Sequence, residues 1–439
     1  MPSGARHLLC RRFQRRPFTA FGVTVNAYPA LPLSPPPAYN WGMTTHASAT
    51  AQLPLHHGAC PPWLFARMRL LAREIARAIV EAEGTPGLLA RLSQPHWFQS
   101  FGAVLGFDWH SSGVTTVACG ALKDGLKGGV ADELGLYVVG GKGRESRKTP
   151  DELLALGDKL SVDPAGLVHT SRLVAKVDNN AVQDGYQLYH HVFVVDRAGR
   201  WAVIQQGMND ATSWARRYHW LSDTVESFVD EPHAAVCAVT TVAPLNLVAH
   251  EADANRQAAA TLASQKPETL VQELRKAQTM SLPAHHEVQI GDILPERLYK
   301  TFCSTYENPP ADFVDLLGRP GVGAKTLRAL SLLGELLYGA PASFRDPARF
   351  SFAHGGKDGT PFPISQREYD QTIAYLERAV RQARLGERER LDALRRLAAW
   401  TDEQARPSPA PPSAAPLPVS NAPGPQRPVQ LGLGAEFWK

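Results

Sequence analysis

The chain has 439 residues, of which 44% are hydrophobic and 20% are charged, so it is long enough for two or three domains that each bury a core. No run approaches the ~18 uninterrupted apolar residues of a membrane helix, which excludes a membrane-spanning class. The formal net charge of +4 allows a polyanionic partner. The five cysteines are scattered without a Cys-x-x-Cys pair, so neither a zinc ribbon nor a disulfide framework is indicated. We assign no metal ligand, leave the metal requirement open, and expect a cytoplasmic protein.

The N-terminal stretch is unusual because its first 73 residues contain no Asp or Glu, and several arginines lie near Met1. That composition is typical of an organellar transit peptide. We favour a different interpretation, in which translation starts at Met43 and residues 1–42 are an over-extended reading frame. Residues 1–50 are therefore predicted to be a disordered extension, and a first helix is predicted to open at Pro61 and Pro62.

An Asp and a His lie close together after the apolar run that follows Pro95. Asp108 and His110 stand two residues apart in Phe-Asp-Trp-His-Ser-Ser, ahead of a predicted helix through Lys123. Such a pair could act as acid and base, so these two residues are our candidate catalytic groups. The alternative is structural, with a serine capping the helix and His110 satisfied in the core.

A buried strand is predicted at residues 134–139, and a basic glycine-rich loop follows it directly. Glycines let backbone amides turn inward while cations supply charge, so residues 140–148 suit a phosphate group. The alternative is a solvated basic turn. Thr149 and Glu152 are then predicted to form a capping box at the start of a helix. The cations of the loop are Lys142, Arg144, Arg147 and Lys148.

A β-hairpin is predicted at residues 186–206, where two alternating, β-rich segments flank a short turn. The period of two sends His190 and His191 to opposite faces, so they cannot share a metal ion. Gln205 and Gln206 stand where a hairpin nuclease would need an acid and a lysine. We expect their amides to satisfy a local hydrogen-bond network, with recognition of a base edge or a substrate hydroxyl as the alternative.

A helix is predicted to begin at Asn209-Asp210. We expect it to dock through its aromatic residues with its arginines in water, and the alternative is stacking on bases or binding of phosphate. A polar helical arm at residues 251–281 is predicted to bridge two domains. The residues that define the first of these helices are Arg216, Arg217, His219 and Trp220.

The most specific motif runs from Leu317 to Leu327 and joins two apolar helices through the turn Pro-Gly-Val-Gly. It looks like a helix-hairpin-helix, a phosphate-gripping element of many DNA repair proteins. Gly321 and Gly323 can take positive φ, and the amides that open the second helix lie at its positive end, where a phosphate oxygen can bind. Lys325 adds charge and Thr326 adds a hydroxyl. The alternative is an ordinary αα-hairpin.

A glycosylase with lyase activity would carry its Schiff-base lysine just after such a hairpin, where Lys325 stands, and an aspartate further along the chain. Asp346 and Asp358 follow Lys325 by 21 and 33 residues, but neither stands in a Val-Pro-Val-Asp context. We therefore leave open whether the protein is an enzyme, with nuclease or glycosylase/lyase chemistry slightly favoured if it is one.

The C-terminal part is predicted to contain a helix whose face, including Ile373 and Leu376, packs on the hairpin. Residues 401–439 are then predicted to be a proline-rich disordered tail. Near its end, Gln430, Leu431 and Leu433 resemble the start of the peptides that dock on the bacterial sliding clamp. A tail without a specific partner is the alternative.

Three long motifs at residues 97–116, 140–150 and 351–359 occur together in one known family. With them, the chain resembles domain-of-unknown-function family 763 of archaea and bacteria, from about Leu53 to about Trp400. The resemblance implies a prokaryotic, cytoplasmic setting, and it carries no catalytic residue to this chain.

We expect an α+β fold that is mostly helical. A small sheet is predicted in a core domain at residues 51–285, and residues 286–400 are predicted to form an all-helical domain like a helix-hairpin-helix. The function we expect is DNA binding, with DNA processing or repair as its setting. The alternatives are a metabolic enzyme that binds a small phosphorylated ligand at residues 140–148 and an adaptor that acts through the tail. The sequence leaves the cofactor unknown.

Overall fold

The computed structural model describes residues 60, 62–106, 112–238, 241–280, 293–349, 366–383 and 385–405. These parts are mostly helical with a small antiparallel sheet, which confirms the predicted α+β class. Among them, no helix combines the length and the apolar content that a membrane span requires. The helices are α1 (Pro62–Ser93), α2 (Pro95–Leu105), α3 (Gly113–Gly125), α4 (Val130–Leu134), α5 (Thr149–Leu154), α6 (Pro164–Lys176), α7 (Asp253–Ala263), α8 (Pro267–Thr279), α9 (Pro295–Glu307), α10 (Phe313–Gly318), α11 (Ala324–Tyr338), α12 (Gln366–Gln382) and α13 (Glu387–Ala405). The strands are β1 (Leu136–Lys142), β2 (Val182–Gln183), β3 (Gln187–Asp196), β4 (Trp201–Asn209), β5 (Trp214–Leu221), β6 (Ala235–Cys237) and β7 (Leu245–Asn246).

The centre of the fold is a five-stranded antiparallel sheet with strand order β1-β3-β4-β5-β6. β3 and β4 form the predicted hairpin, and Gly199 in its turn has a φ of +85°. Val192 pairs with Ile204 in one core and Phe193 pairs with Val203 in the other, so neighbouring residues along each strand point to opposite faces. The hairpin prediction is confirmed.

Helices cover both faces of this sheet, so its strands bury both rows of their side chains. One face, which carries Phe193, Val203 and Trp220, shares a hydrophobic core with α6 to α11. The other face, which carries Val192 and Ile204, shares a second core with α1, α2, α3, α12 and α13. A strand that is buried on both sides loses the apolar and polar alternation of a surface strand.

The last two helices return to the N-terminal part of the chain. Leu376 and Val380 of α12 belong to the core that contains α1, so the prediction that this helix docks on the glycine hairpin is wrong. An apolar stripe determines which face of a helix is buried, but it does not name the partner. The predicted domain boundary at residue 286 lies in residues 281–292, outside the described residues.

The segment after Asn209 is a strand and not the predicted helix. Asn209 Oδ1 accepts hydrogen bonds from the amides of Ala211 and Thr212, so its capping side chain closes a turn, and Ser213 has a φ of +58°. β5 then pairs with β4 along its whole length. Arg216 and Arg217 are both fully buried, on opposite faces of the sheet, and their charges misled the helical interpretation.

Candidate functional site

The glycine turn at residues 319–323 joins α10 to α11, as the sequence predicts. Gly321 has a φ of +80°, a conformation that favours glycine. The positive φ expected for Gly323 is wrong, because this residue has a φ of −128° and a ψ of −175°, an extended backbone that other residues also adopt. Among the described residues, no side chain caps the start of α11, so its first amides retain their capacity to bind water or a ligand.

Lys325 and Thr326 stand in the first turn of α11 but differ in exposure. Lys325 is exposed, so its charge adds to the positive end of the helix dipole. Thr326 is buried, which removes the hydroxyl that the sequence offers to a phosphate. Of the two side chains predicted to contact a phosphate, only that of Lys325 lies at the surface.

A buried lysine holds the other side of the turn. Lys176 Nζ, at the end of α6, donates to the carbonyl oxygens of Leu317, Gly318 and Arg319 at 2.8, 3.1 and 2.7 Å. Burial, with a smaller effect of Arg172, lowers the pKa of Lys176 to about 8. The carbonyls of Leu317 and Gly318 are acceptors in the last turn of α10, whereas that of Arg319 also accepts from the amide of Val322 at 3.3 Å. By bonding all three, the ammonium group fixes the geometry of the hairpin.

Further cations lie on α9, which contacts the turn. Thr301 Oγ1 donates to the carbonyl oxygen of Gly321 at 3.5 Å. Arg297, one turn before Thr301, and Lys300, directly before it, are both exposed. Within the described part of the chain, neither forms an ion pair, and Lys325 forms none. The hairpin therefore has three surface cations whose charge is not neutralised by a described carboxylate.

The basic loop turns into a short 3₁₀ helix at Gly143–Lys148. The Nζ atom of Lys142 lies 5.9 Å from the ring centre of Tyr189, and Lys148 pairs with Glu145 at 2.6 Å. Arg144 and Arg147 are exposed. The four cations thus lie at the surface, and a neighbouring carboxylate engages Lys148.

A carboxylate of the protein itself accepts a hydrogen bond from the first backbone amide of this loop. Glu152 accepts hydrogen bonds from the amide of Gly140 at 2.6 Å and from Lys123 Nζ at 2.8 Å. Thr149 donates to the carbonyl oxygen of Ser146 and does not cap α5, so the predicted capping box is wrong. A Cβ on Gly140 would lie 2.3 Å from the carbonyl oxygen of His191, so this glycine is required by close packing.

Two predicted sites lie outside the described residues. Asp108 and His110 belong to residues 107–111, and Gln430, Leu431 and Leu433 belong to residues 406–439. The catalytic pair and the clamp contact therefore stay predictions.

A buried polar network follows the sheet face that packs on α6. Ser171 Oγ lies 2.8 Å from His191 Nε2, and His191 Nδ1 lies 2.8 Å from Gln205 Oε1. Gln205 Nε2 donates to Asp178 Oδ2. Burial, opposed by the Gln205 contact, lowers the pKa of His191 to about 4, so its ring is neutral at pH 7. Ser171 and His191 are fully buried, so this serine and histidine are not accessible to a substrate.

The same network reaches the surface at His233. Asp178 is fully buried, and its Oδ2 also accepts from Trp220 Nε1 at 2.9 Å. Its Oδ1 contacts His233 Nε2 at 2.5 Å, and His233 lines a cavity. His233 carried no signal in the sequence, because its partner Asp178 lies 55 residues earlier in the chain.

On the opposite face, one cross-strand row is polar from edge to edge. Lys142, His190, Gln206, Arg217 and Cys237 pair in this order across the five strands. Gln206 bonds the hydroxyls of Thr115 and Tyr189 and the carbonyl oxygen of Ser112. The local-network interpretation of Gln205 and Gln206 is thereby confirmed.

Asp346 has a structural role in the described residues. Both of its oxygens pair with the buried Arg216, at 3.0 and 2.8 Å, and it also accepts from the amides of Val242 and Ala348. Asp184 pairs with the same guanidinium at 2.9 Å. Asp346 is therefore committed to the fold, and Asp358 lies outside the described residues.

In the described ranges, no group of three or more His, Cys, Asp or Glu residues is arranged to hold a metal ion.

The fold and these sites define an α+β protein with an antiparallel sheet buried between helical layers, and the α10–α11 hairpin belongs to the layer on one face of that sheet. A family model described as a protein of unknown function, DUF763, matches residues 49–364, and the chain belongs to this family. No curated protein and no solved structure matches the chain.

Proposed function

We propose that the protein binds the backbone phosphates of DNA, with the hairpin at residues 319–325 as the main contact. The observation that carries the proposal is the uncapped start of α11, directly beside the exposed Lys325. Amides at the positive end of a helix are suitable donors to a phosphate oxygen, and a lysine adds a point charge.

Two features of the hairpin support this proposal. Lys176 orders the turn from the inner side by donating to the carbonyl oxygens of Leu317, Gly318 and Arg319, so these oxygens need no further partner. Arg297 and Lys300 extend the positive surface along α9. Contacts of this kind position a strand without reading its sequence, so binding should be independent of sequence and sensitive to salt.

The basic loop is a second phosphate contact in this proposal. Its contribution comes from side chains such as Lys142 and Arg144, because Glu152 holds the amide of Gly140. The same occupation makes the loop a poorer cradle for a small phosphorylated ligand, which is why DNA binding is preferred over the metabolic alternative. DNA processing or repair is the setting that such a binding mode suits.

We also propose a cytoplasmic location and a contact between the tail and a sliding clamp. The described cysteines form no disulfide, which fits a reducing compartment.

The clamp contact rests on the sequence of Gln430, Leu431 and Leu433. Deleting residues 407–439 should abolish co-purification with the purified clamp and leave DNA affinity unchanged.

The test is fluorescence-polarisation binding of single-stranded, double-stranded and branched DNA across a salt series. Lys325→Glu should weaken binding at least about tenfold and reduce the salt slope by roughly one unit, because one phosphate contact is lost. The matched control is Lys266→Glu, which makes the same charge change at the exposed start of α8 and should bind as wild type does. Equal affinity of the wild type and the Lys325 variant would refute the proposal.

A further inference from the structure

A small cavity of about 170 Å³ lies beside β6. Its polar lining includes Glu231 and His233, which precede β6, and Arg345 and Arg349, from the stretch after α11. The volume is below the ~300 Å³ at which pockets for drug-sized ligands begin, so the cavity suits a small ligand. None of its lining residues belongs to the hairpin or to the basic loop.

His233 brings an oriented imidazole to this cavity. Its side chain is only 6% exposed, and its Nε2 is held by the buried carboxylate of Asp178. Hydrogen bonds from Gln205 and Trp220 hold that carboxylate in turn. Nδ1 has no hydrogen-bond partner among the residues that the structure describes. A buried ring fixed through one nitrogen thus leaves the other for a ligand.

Two arginines share one carboxylate at the cavity. Arg345 Nη2 contacts Glu231 Oε1, and Arg349 Nη2 contacts Glu231 Oε2 at 2.8 Å. Arg345 is also held by Glu251 at 3.0 Å, so it keeps one partner if Glu231 leaves. Burial raises the pKa of Glu231, but the hydrogen bonds from the two arginines outweigh burial and lower it. Glu231 is therefore an anion that occupies an arginine pair.

The backbone of Glu231 is strained. Its φ is +43°, in the left-handed region that residues other than glycine rarely adopt, and its amide donates to the carbonyl oxygen of Val248 at 2.7 Å. A structural ion pair at a surface requires neither such strain nor an adjoining cavity. Strain of this kind is concentrated at ligand sites and switches.

We propose that this cavity binds a small ligand through a phosphate or carboxylate oxyanion, and that Glu231 holds the two arginines until the ligand replaces it. Arg349 and Arg345 supply charge-assisted donors to the oxyanion. His233 Nδ1 supplies a third contact, as a donor when the ring is protonated or as an acceptor from a protonated phosphate.

The test is isothermal titration of the full chain with inorganic phosphate and, separately, with acetate. Glu231→Gln removes the competing charge and should raise the affinity for one of these anions at least about tenfold, since the apparent Kd is the intrinsic Kd divided by the competent fraction. Adding Arg349→Met to this variant should abolish the gain. The matched control is Glu296→Gln, which neutralises an exposed carboxylate paired with Arg275 and should leave the affinity unchanged.

The outcomes separate the ligand classes and the sites. Binding of phosphate but not acetate assigns a phosphorylated ligand, and the reverse assigns a carboxylate. Lys325→Glu should not change this binding, and loss of binding in that variant would place the anion at the hairpin and overturn the proposal. Absence of saturable binding to the Glu231 variant, with the far-UV circular dichroism of wild type, would also overturn it. The DNA-binding proposal does not require anion binding at this cavity, so failure of the cavity proposal leaves it standing.

Discussion

At the scale of single residues, glycines show what a sequence can and cannot specify. The turn Pro-Gly-Val-Gly predicts that a left-handed residue is needed, and Gly321 supplies it. The sequence does not tell which glycine takes that conformation, because glycine adopts both signs of φ at little cost. His233 was missed for a different reason, since its role depends on Asp178, which only the fold brings into contact with it.

Two substitutions in the hairpin should change stability in opposite directions. Gly321→Ala should lower the free energy of unfolding by about 1–2 kcal/mol, because alanine is strained at a φ of +80°. Gly318→Ala should raise it by about 0.4–1 kcal/mol, since a Cβ there meets nothing within 4 Å and the unfolded chain loses entropy. Urea denaturation of both variants measures the two effects. Destabilisation of equal size in both would contradict the assigned geometry.

At the scale of elements, local signals predicted the β3–β4 hairpin and the α10–α11 hairpin, because turn chemistry and short-range periodicity determine both. β5 was misassigned because both of its faces are buried, so its polar residues do not alternate with apolar ones. Lys176 lies at the end of α6 and donates a hydrogen bond to a carbonyl oxygen of α10. No sequence pattern near Gly321 indicates this contact.

Lys176 should contribute more to the hairpin than its single charge suggests. Lys176→Met leaves the carbonyl oxygens of Leu317 and Gly318 without this donor, while that of Arg319 keeps the amide of Val322, and it should cost about 2 kcal/mol of stability. Amides at residues 316–327 should then exchange faster in hydrogen-exchange mass spectrometry. The control Lys159→Met, which removes an exposed pair with Asp132, should cost far less stability than Lys176→Met. Unchanged exchange at the turn in the Lys176 variant would show that the ammonium does not order it.

At the scale of the whole molecule, the fold class followed from counting predicted helices and strands, whereas the packing did not. α12 and α13 pack on α1 and α2 across about three hundred residues of chain, and an amphipathic stripe carries no information about such a distant partner. Burial on both faces of the sheet also encloses several histidines, and together they determine how the stability of the whole molecule depends on pH.

These buried histidines should make the protein sensitive to mild acid. Burial is the main cause that lowers the pKa of His96 to about 4, of His190 to about 3 and of His191 to about 4. Below about pH 6.5 the unfolded chain binds these protons and the folded chain does not, so stability is lost as the pH falls towards 4. Each group should cost about 2 kcal/mol between pH 6.5 and 5.

One variant isolates a single histidine of this set. Neither ring nitrogen of His190 has a hydrogen-bond partner in the described ranges, so His190→Leu loses no hydrogen bond. It should reduce the proton uptake on unfolding by about one, read from denaturation midpoints at pH 7 and 5. A wild-type profile in the His190 variant would contradict the assignment.

The most direct measurement of the central claim is hydrogen-exchange mass spectrometry with and without saturating double-stranded DNA at low salt. Peptides that cover residues 313–330 should gain protection on binding, because the amides that open α11 become donors to phosphate, and the protection should vanish in Lys325→Glu. DNA binding that leaves these peptides unchanged and protects another surface would contradict the account.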